Sequence, residues 1–187
     1  MEKTFNILLT TIGRDSLTRM VNSIYPQLKK DDYLTIICDC KLTDVLPKIT
    51  ECLEHAVCNI NLVQNSEVKG AYGHNSRNFF QNNLFGDYIL NADDDNYYVP
   101  NAMEMVRQSC TENKLYIFKC FGSGRTFPDA YIVEYGNIDT ACGVIPNNRN
   151  LPIWTERYGG DADFYTSLIQ QIEYEFVDNV FYKFRDF

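Results

Sequence analysis

The apolar residues of this chain fall into short runs, and between the runs they recur at helical spacing. Residues 5–9, 33–38, 59–63 and 87–92 read as strands. The first two runs are mostly apolar rather than strictly alternating, which predicts buried strands. Asp15 or Ser16 is placed to cap a helix carrying Leu17, Met20, Val21 and Ile24, limited by Pro26. Thr43 or Asp44 is placed to cap a second helix with Val45, Leu46, Ile49, Leu53 and Ala56 on one face, and Pro47 is tolerated in its first turn. A polar loop over residues 67–73, Gly70 within it, leads to a third helix over 75–83. Further on, Pro100 starts a helix with Met103, Val106 and Cys110 on one side. Residues 115–121 and 131–133 read as strands around a turn at 122–128. A helix follows residues 159–163, and a last strand spans 176–184.

The first half is thus β-α-β-α-β-α-β, the pattern of an α/β fold with a parallel, doubly wound sheet and right-handed crossovers. Ligands of such sheets bind beyond the carboxyl ends of the strands. The polar clusters at residues 10–14, at Asp39 and at 93–95 all fall at those ends, so they are expected on one face. The chain shows no repeat, linker or low-complexity tract, and one compact domain over 1–187 is expected.

Composition narrows the partners. With 187 residues, 45% of them hydrophobic, the chain can bury a core without metal or disulfide staples. A net charge of −8 argues against a nucleic-acid backbone or an anionic membrane surface as partner, since both are bound by clustered Lys and Arg. No apolar run is long enough for a membrane span. The seven cysteines have no CxxC spacing, and three of them, Cys38, Cys40 and Cys120, fall in buried-strand runs. Free thiols in a soluble cytoplasmic protein are the expectation.

The strongest local signal is Asp93-Asp94-Asp95 at the tip of an apolar strand. Adjacent carboxylates repel unless a cation or solvent screens them. Alternate residues of an extended chain point the same way, so Asp93 and Asp95 are expected to share a site. Hard oxygen ligands suit Mg²⁺ or Mn²⁺ bridging to substrate phosphates.

Around this cluster the chain resembles family 2 glycosyltransferases, enzymes of the GT-A fold. The resemblance is carried by Gly73-His74-Asn75-Ser76-Arg77-Asn78 and then Gly86-Asp87-Tyr88-Ile89-Leu90-Asn91-Ala92-Asp93-Asp94-Asp95. The family pattern there is Ala-Arg-Asn, a spacer, Gly-acid-Tyr-Ile, and the Asp-x-Asp (DxD) motif. Thr10-Thr11 with Arg14, Asp39 with Thr43-Asp44, Gly160-Asp161-Ala162-Asp163 and Val180-Phe181-Tyr182-Lys183 follow in the family's order.

The resemblance implies a single GT-A-type, Rossmann-like domain with a mainly parallel sheet flanked by helices. Residues 1–98 would be the nucleotide-binding half and 99–187 the acceptor and catalytic half. It implies a metal-dependent transfer of a sugar from a nucleotide sugar, a UDP-sugar favoured, to a hydroxyl on a glycan, lipid-linked or protein-linked acceptor, by direct displacement with inversion. Asp39 would hold the nucleobase. Thr10, Thr11 and Arg14 would line the nucleoside and diphosphate, in a donor site that includes Gly70 and Asn75. Arg77 would meet base or phosphates. Asp93 and Asp94 would lie near ribose and metal, with Asp95 as direct ligand of Mn²⁺ or Mg²⁺ and Asp93 beside it. Asp161 would be the general base, with Asp163 as rival. The alternatives are a sugar-nucleotide nucleotidyltransferase and a non-catalytic nucleotide-sugar-binding domain.

The sequence also departs from the family. Cys40-Lys41-Leu42 follows Asp39 in place of Asp-Gly-Ser, Phe79-Phe80 follows Asn78, and Gly160 replaces a Glu. The family's metal-binding His after the last strand is absent, and Arg185 and Asp186 stand nearby. Of the two histidines, His55 is expected at a helix C-terminus, and His74 falls in the donor loop, where phosphate contact is one of its readings. Trp154 reads either as an acceptor platform or as a core-packing residue. Arg125 reads as solvated surface, and the 122–128 turn as either a lid or a hairpin connection.

Overall fold

The computed structural model describes residues 2–148 and 150–184. Arg185 and Asp186 therefore lie outside the described residues. Nine strands form one sheet among those described. They are β1 (Phe5–Thr11), β2 (Tyr33–Cys38), β3 (Asn59–Gln64), β4 (Tyr88–Asp93), β5 (Tyr97–Tyr98), β6 (Leu115–Gly122), β7 (Arg125–Phe127), β8 (Gly143–Pro146) and β9 (Tyr174–Lys183). Five α-helices accompany them: α1 (Leu17–Ile24), α2 (Leu42–His55), α3 (His74–Phe80), α4 (Ala102–Ser109) and α5 (Gly160–Leu168). The sheet order is β3-β2-β1-β4-β8-β6-β9-β5, with β7 hydrogen-bonded to β6.

The first four strands are parallel, as the alternating pattern predicts. Inner strands β1, β2 and β4 are almost wholly buried, whereas β3, at the edge, is only half-buried. Beyond β4 the sheet becomes mixed. β8 runs antiparallel to both β4 and β6, and β6 is parallel to β9. Register puts Thr10 of β1 opposite Asp93 of β4, and Thr11 opposite Cys38. The polar ends of β1, β2 and β4 are thereby brought to one edge of the sheet.

Several local expectations are corrected. Residues 131–133 form no strand: Tyr131 has φ 54°, a left-handed conformation incompatible with a strand. The partner of β6 is instead β7, so the 122–128 segment is a hairpin. Ser16 precedes α1 without a capping hydrogen bond, and its hydroxyl is buried without a partner. Helix α2 begins at Leu42, so Thr43 and Asp44 lie inside it and Pro47 in its second turn. Leu46 and Leu53 face outward; Val45, Ile49 and Cys52 form the buried stripe. Helix α4 starts two residues after Pro100. His55 is the last residue of α2, as expected.

Trp154 is fully buried, stacked on Phe164 at 3.8 Å, and donates through Nε1 to Gln81 Oε1 at 2.9 Å. It belongs to the core and offers no face to an acceptor. No helix among the described residues is long and apolar enough to cross a membrane.

Candidate active site

A cavity of about 380 Å³ opens at the carboxyl ends of β1, β2 and β4, within the roughly 300–1,000 Å³ usual for small-molecule sites. Thr10, Thr11, Arg14, Asp39, Gly70, Asp93, Asp94, Asp95 and Asp161 all line it. Most of the residues singled out in the sequence thus converge.

Asp94 is the hub of the loop after β1. Its buried carboxylate accepts from Thr11 Oγ1 at 2.6 Å, Ile12 N at 3.1 Å and Arg14 Nη1 at 2.7 Å. Arg14 also reaches Asp95 Oδ2 at 3.1 Å. Asp94 therefore shapes the loop that presents Arg14, and has little capacity left for a ligand. Asp39, at the end of β2, accepts from Asn65 Nδ2 and Lys69 N, both at 2.7 Å, and from Gly70 N at 2.8 Å. It ties the 67–73 loop to the sheet.

That loop is conformationally costly. Gly70, Ala71, Tyr72 and Gly73 all have positive φ, which for Ala71 and Tyr72 is strain of the kind that clusters at ligand sites. At Gly73 a Cβ would lie 2.5 Å from Thr10 Oγ1, so only glycine lets the loop approach β1 this closely.

Arg77 lies beneath the cavity rather than on its wall. The residue is wholly buried, donating to Tyr72 O at 3.0 Å, to Thr10 Oγ1 at 3.1 Å and to the Asp93 carboxylate, with its guanidinium 5.6 Å from the Trp154 ring centre. It cannot meet base or phosphate from there. Its role in this structure is to hold Asp93 and the strained loop. Asn75 is likewise off the wall, donating to Lys69 O at 3.1 Å.

The two candidate bases separate clearly. Both fall in the first turn of α5. Asp161 lines the cavity, and burial raises its carboxyl above the ordinary range, with the Ala162 N–H and His74 pulling it partly back. Asp163 faces away: hydrogen bonds from Arg157 and Thr155 pull it down to about 2. A carboxylate so engaged is a poor proton acceptor. Gly160, which stands where the family has Glu, allows close packing, since a Cβ there would be 2.3 Å from the Thr155 carbonyl oxygen and 2.9 Å from the His74 ring.

Sequence reasoning missed Asp139. It caps the short turn before β8, accepting from Ala141 N at 3.0 Å, and lines the same cavity. An isolated Asp in a loop carries no signal; only the pairing of β8 with β4 brings it here. Burial, with Asp93 and Asp161 adding to it, pushes its carboxyl from 3.8 up to about 8. Asp95 is also raised, by burial first and then by Asp93. Six aspartates and one arginine line the cavity, and the Asp93 charge adds to burial in raising Asp95, Asp139 and Asp161 alike.

A stability consequence follows for Asp139. Below pH 4 its carboxyl is neutral whether the chain is folded or not. As pH rises from about 4 to 8, ionisation favours the unfolded chain, so the fold loses stability across that window. Asp139→Asn is expected to flatten the fall of the melting temperature between pH 5 and 8 in chelator-treated protein. Identical slopes in the two proteins would refute this account of Asp139.

A second cavity, of about 500 Å³, adjoins the first. The two share Asp93, Asp95, Asp139, Tyr158, Gly159 and Asp161 as a common wall. Its far side is built from Arg125 and Phe127 of the β6–β7 hairpin and from Tyr135. The hairpin thus bounds a cavity, and Arg125, exposed as expected, also donates to Gly136 O at 2.6 Å.

The architecture is that of a GT-A-type α/β domain. The particular structures it resembles include S. aureus TarS 1-349, with 18% identity over 96% of this chain and a TM-score of 0.77. The complex of TarS 1-349 with UDP-GlcNAc gives 17% identity over 97% and a TM-score of 0.72, and the complex with UDP gives 16%, 97% and 0.76. This chain spans 60% of the length of TarS 1-349. The inositol-1-phosphate CTP transferase from T. maritima is more distant, with 12% identity, a TM-score of 0.58, and 98% of this chain against 89% of that one. No protein-family model and no curated protein matches the sequence.

Proposed function

We propose that this domain transfers a sugar from a nucleotide sugar to an acceptor hydroxyl. The observation that carries the reading is Asp161, a carboxylate raised by burial, on the wall shared by two adjoining cavities. The first cavity takes the donor. TarS, of the same fold, has been crystallised with UDP and with UDP-GlcNAc, which supports a UDP-sugar. The second takes the acceptor, with Tyr135 and Tyr158 offering exposed aromatic faces to sugar C–H groups. Asp161 accepts the acceptor's proton as its oxygen attacks the anomeric carbon from the side opposite the leaving diphosphate, with inversion.

Among the described residues no group of three or more His, Cys, Asp or Glu is arranged to hold a metal by itself. Mg²⁺-like ions instead take one or two carboxylates together with substrate phosphates. Asp93 and Asp95 fit that mode: both face the cavity, and Asp95 is raised first by burial and then by the Asp93 carboxylate beside it. Bound there, Mn²⁺ or Mg²⁺ would offset charge developing on the departing diphosphate. Arg14, exposed at the rim between Asp94 and Asp95, is the protein's own cation toward the same phosphates. A cytoplasmic setting belongs to this reading and is supported by seven free thiols, six of them buried.

The test is thermal. Mn²⁺ and UDP together are expected to raise the melting temperature by more than the sum of their separate effects. No shift with any nucleoside diphosphate plus metal would sink the proposal. A nucleotidyltransferase is the second reading, favoured by the fold shared with the CTP transferase. Against it, the loop at residues 10–14 has a single glycine and no lysine, where a Gly-rich, Lys-bearing loop is expected. Pyrophosphate release from a nucleoside triphosphate and a sugar phosphate would establish it.

A further inference from the structure

We propose that His74 reads the transferred group of the donor, accepting a hydrogen bond from a sugar hydroxyl or acylamino N–H rather than contacting phosphate. The inference rests on the donor reading above and specifies what the donor must carry.

The ring's protonation pattern is set by its surroundings. Nδ1 lies 2.7 Å from the Thr155 carbonyl oxygen, which can only accept, so Nδ1 carries the hydrogen. The ring packs at 5.4 Å from Trp154, and its Cε1–Nδ1 side lies against Gly160, where even a methyl group would be 2.9 Å away. It has no room to reorient. Burial, reinforced by the Arg77 charge, outweighs the pull of Thr155, Asp93 and Asp161 and lowers its pKa, so the ring is neutral at pH 7. A neutral imidazole protonated at Nδ1 has only a lone pair at Nε2.

His74 is 5% exposed and lines the first cavity on the side of Asp93 and Asp161. The edge left for the cavity is the one bearing Nε2. Phosphate oxygens are acceptors and mismatch it; a hydroxyl or amide N–H matches. The position agrees, because Asp161 marks where the anomeric carbon must sit. A donor lacking the matching group would leave the nitrogen desolvated and unpaired, a loss of about tenfold or more in affinity.

The experiment measures binding of UDP and UDP-GlcNAc, with Mn²⁺ present, to the unaltered protein, His74→Phe and His74→Gln. His74→Phe is expected to keep UDP affinity within about twofold and to lose about tenfold toward UDP-GlcNAc. His74→Gln, which supplies an acceptor oxygen at similar reach, is expected to recover part of that loss, with thermal unfolding confirming that it folds. Equal losses toward both ligands would assign His74 to phosphate and overturn the inference. Unchanged affinity for both in folded variants would reduce the residue to packing and overturn it too. Failure of the unaltered protein to bind UDP would instead sink the donor reading itself.

Discussion

Asp161→Asn is expected to lower glycosyl transfer by about 10²–10⁴-fold, the usual worth of a positioned base, while UDP affinity stays within about twofold. The amide retains the size of the carboxylate and can still accept from the Ala162 N–H, at 2.9 Å in the native chain. It cannot take a proton. The surroundings of Asp161 explain why this residue and not its neighbour suits the task. Burial lifts it toward neutrality, whereas Asp163 is held down at about 2 by Arg157 and Thr155. The acid limb of the pH–rate profile should accordingly lie above the ordinary carboxylate range. Asp163→Asn should instead act through the lost contact with Arg157 and leave turnover near normal. Full turnover in Asp161→Asn would remove the base assignment, and loss confined to Asp163→Asn would transfer it.

The second large effect concerns stability. Arg77→Met should destabilise the fold by about 3–5 kcal/mol, the range found when one partner of a buried ion pair is removed. Asp93 would lose its counter-charge, Thr10 Oγ1 a donor, and the carbonyl of strained Tyr72 its tether. Arg77→Lys should rescue little, because one ammonium group cannot replace a fork that serves Tyr72, Thr10 and Asp93 at once. The measurement is a urea titration: the midpoint should fall with an unchanged slope. A loss under about 1 kcal/mol, the size of an ordinary surface pair, would show that the guanidinium is not the keystone the geometry makes it.

These two residues mark where the sequence was readable and where it was not. Largely apolar runs identified β1, β2 and β4 because strands buried on both faces leave few polar positions, Asn6, Thr35 and Asn91 among them. An acid run following such a strand then had to stand at the sheet's mouth. Strands β5 and β8, of two and four residues, left no such trace, since pairing with distant β9 and β4 defines them. Tyr131-Ile132-Val133 carried strand-like side chains, yet the backbone at Tyr131 excludes a strand. Motif position drew Arg77 toward the ligand; the register that sets Thr10 beside Asp93 draws it under the floor instead. Asp139 became visible only once β8 was placed.

The bond between Asp93 and Tyr182 adds an order in time. Asp93 N donates to the Tyr182 hydroxyl at 3.1 Å, across 89 residues of chain. Strands β1, β2 and β4 leave the ribosome early, carrying the carboxylates at their tips. Strand β9, which sits between β6 and β5 and delivers Tyr182, leaves last among the described elements. A nascent chain halted before β9 would present the acidic mouth without this anchor and with an unpaired edge on β6 open to wrong partners. The site is therefore completed only once β9 has emerged and paired, and its interval of greatest vulnerability precedes that moment.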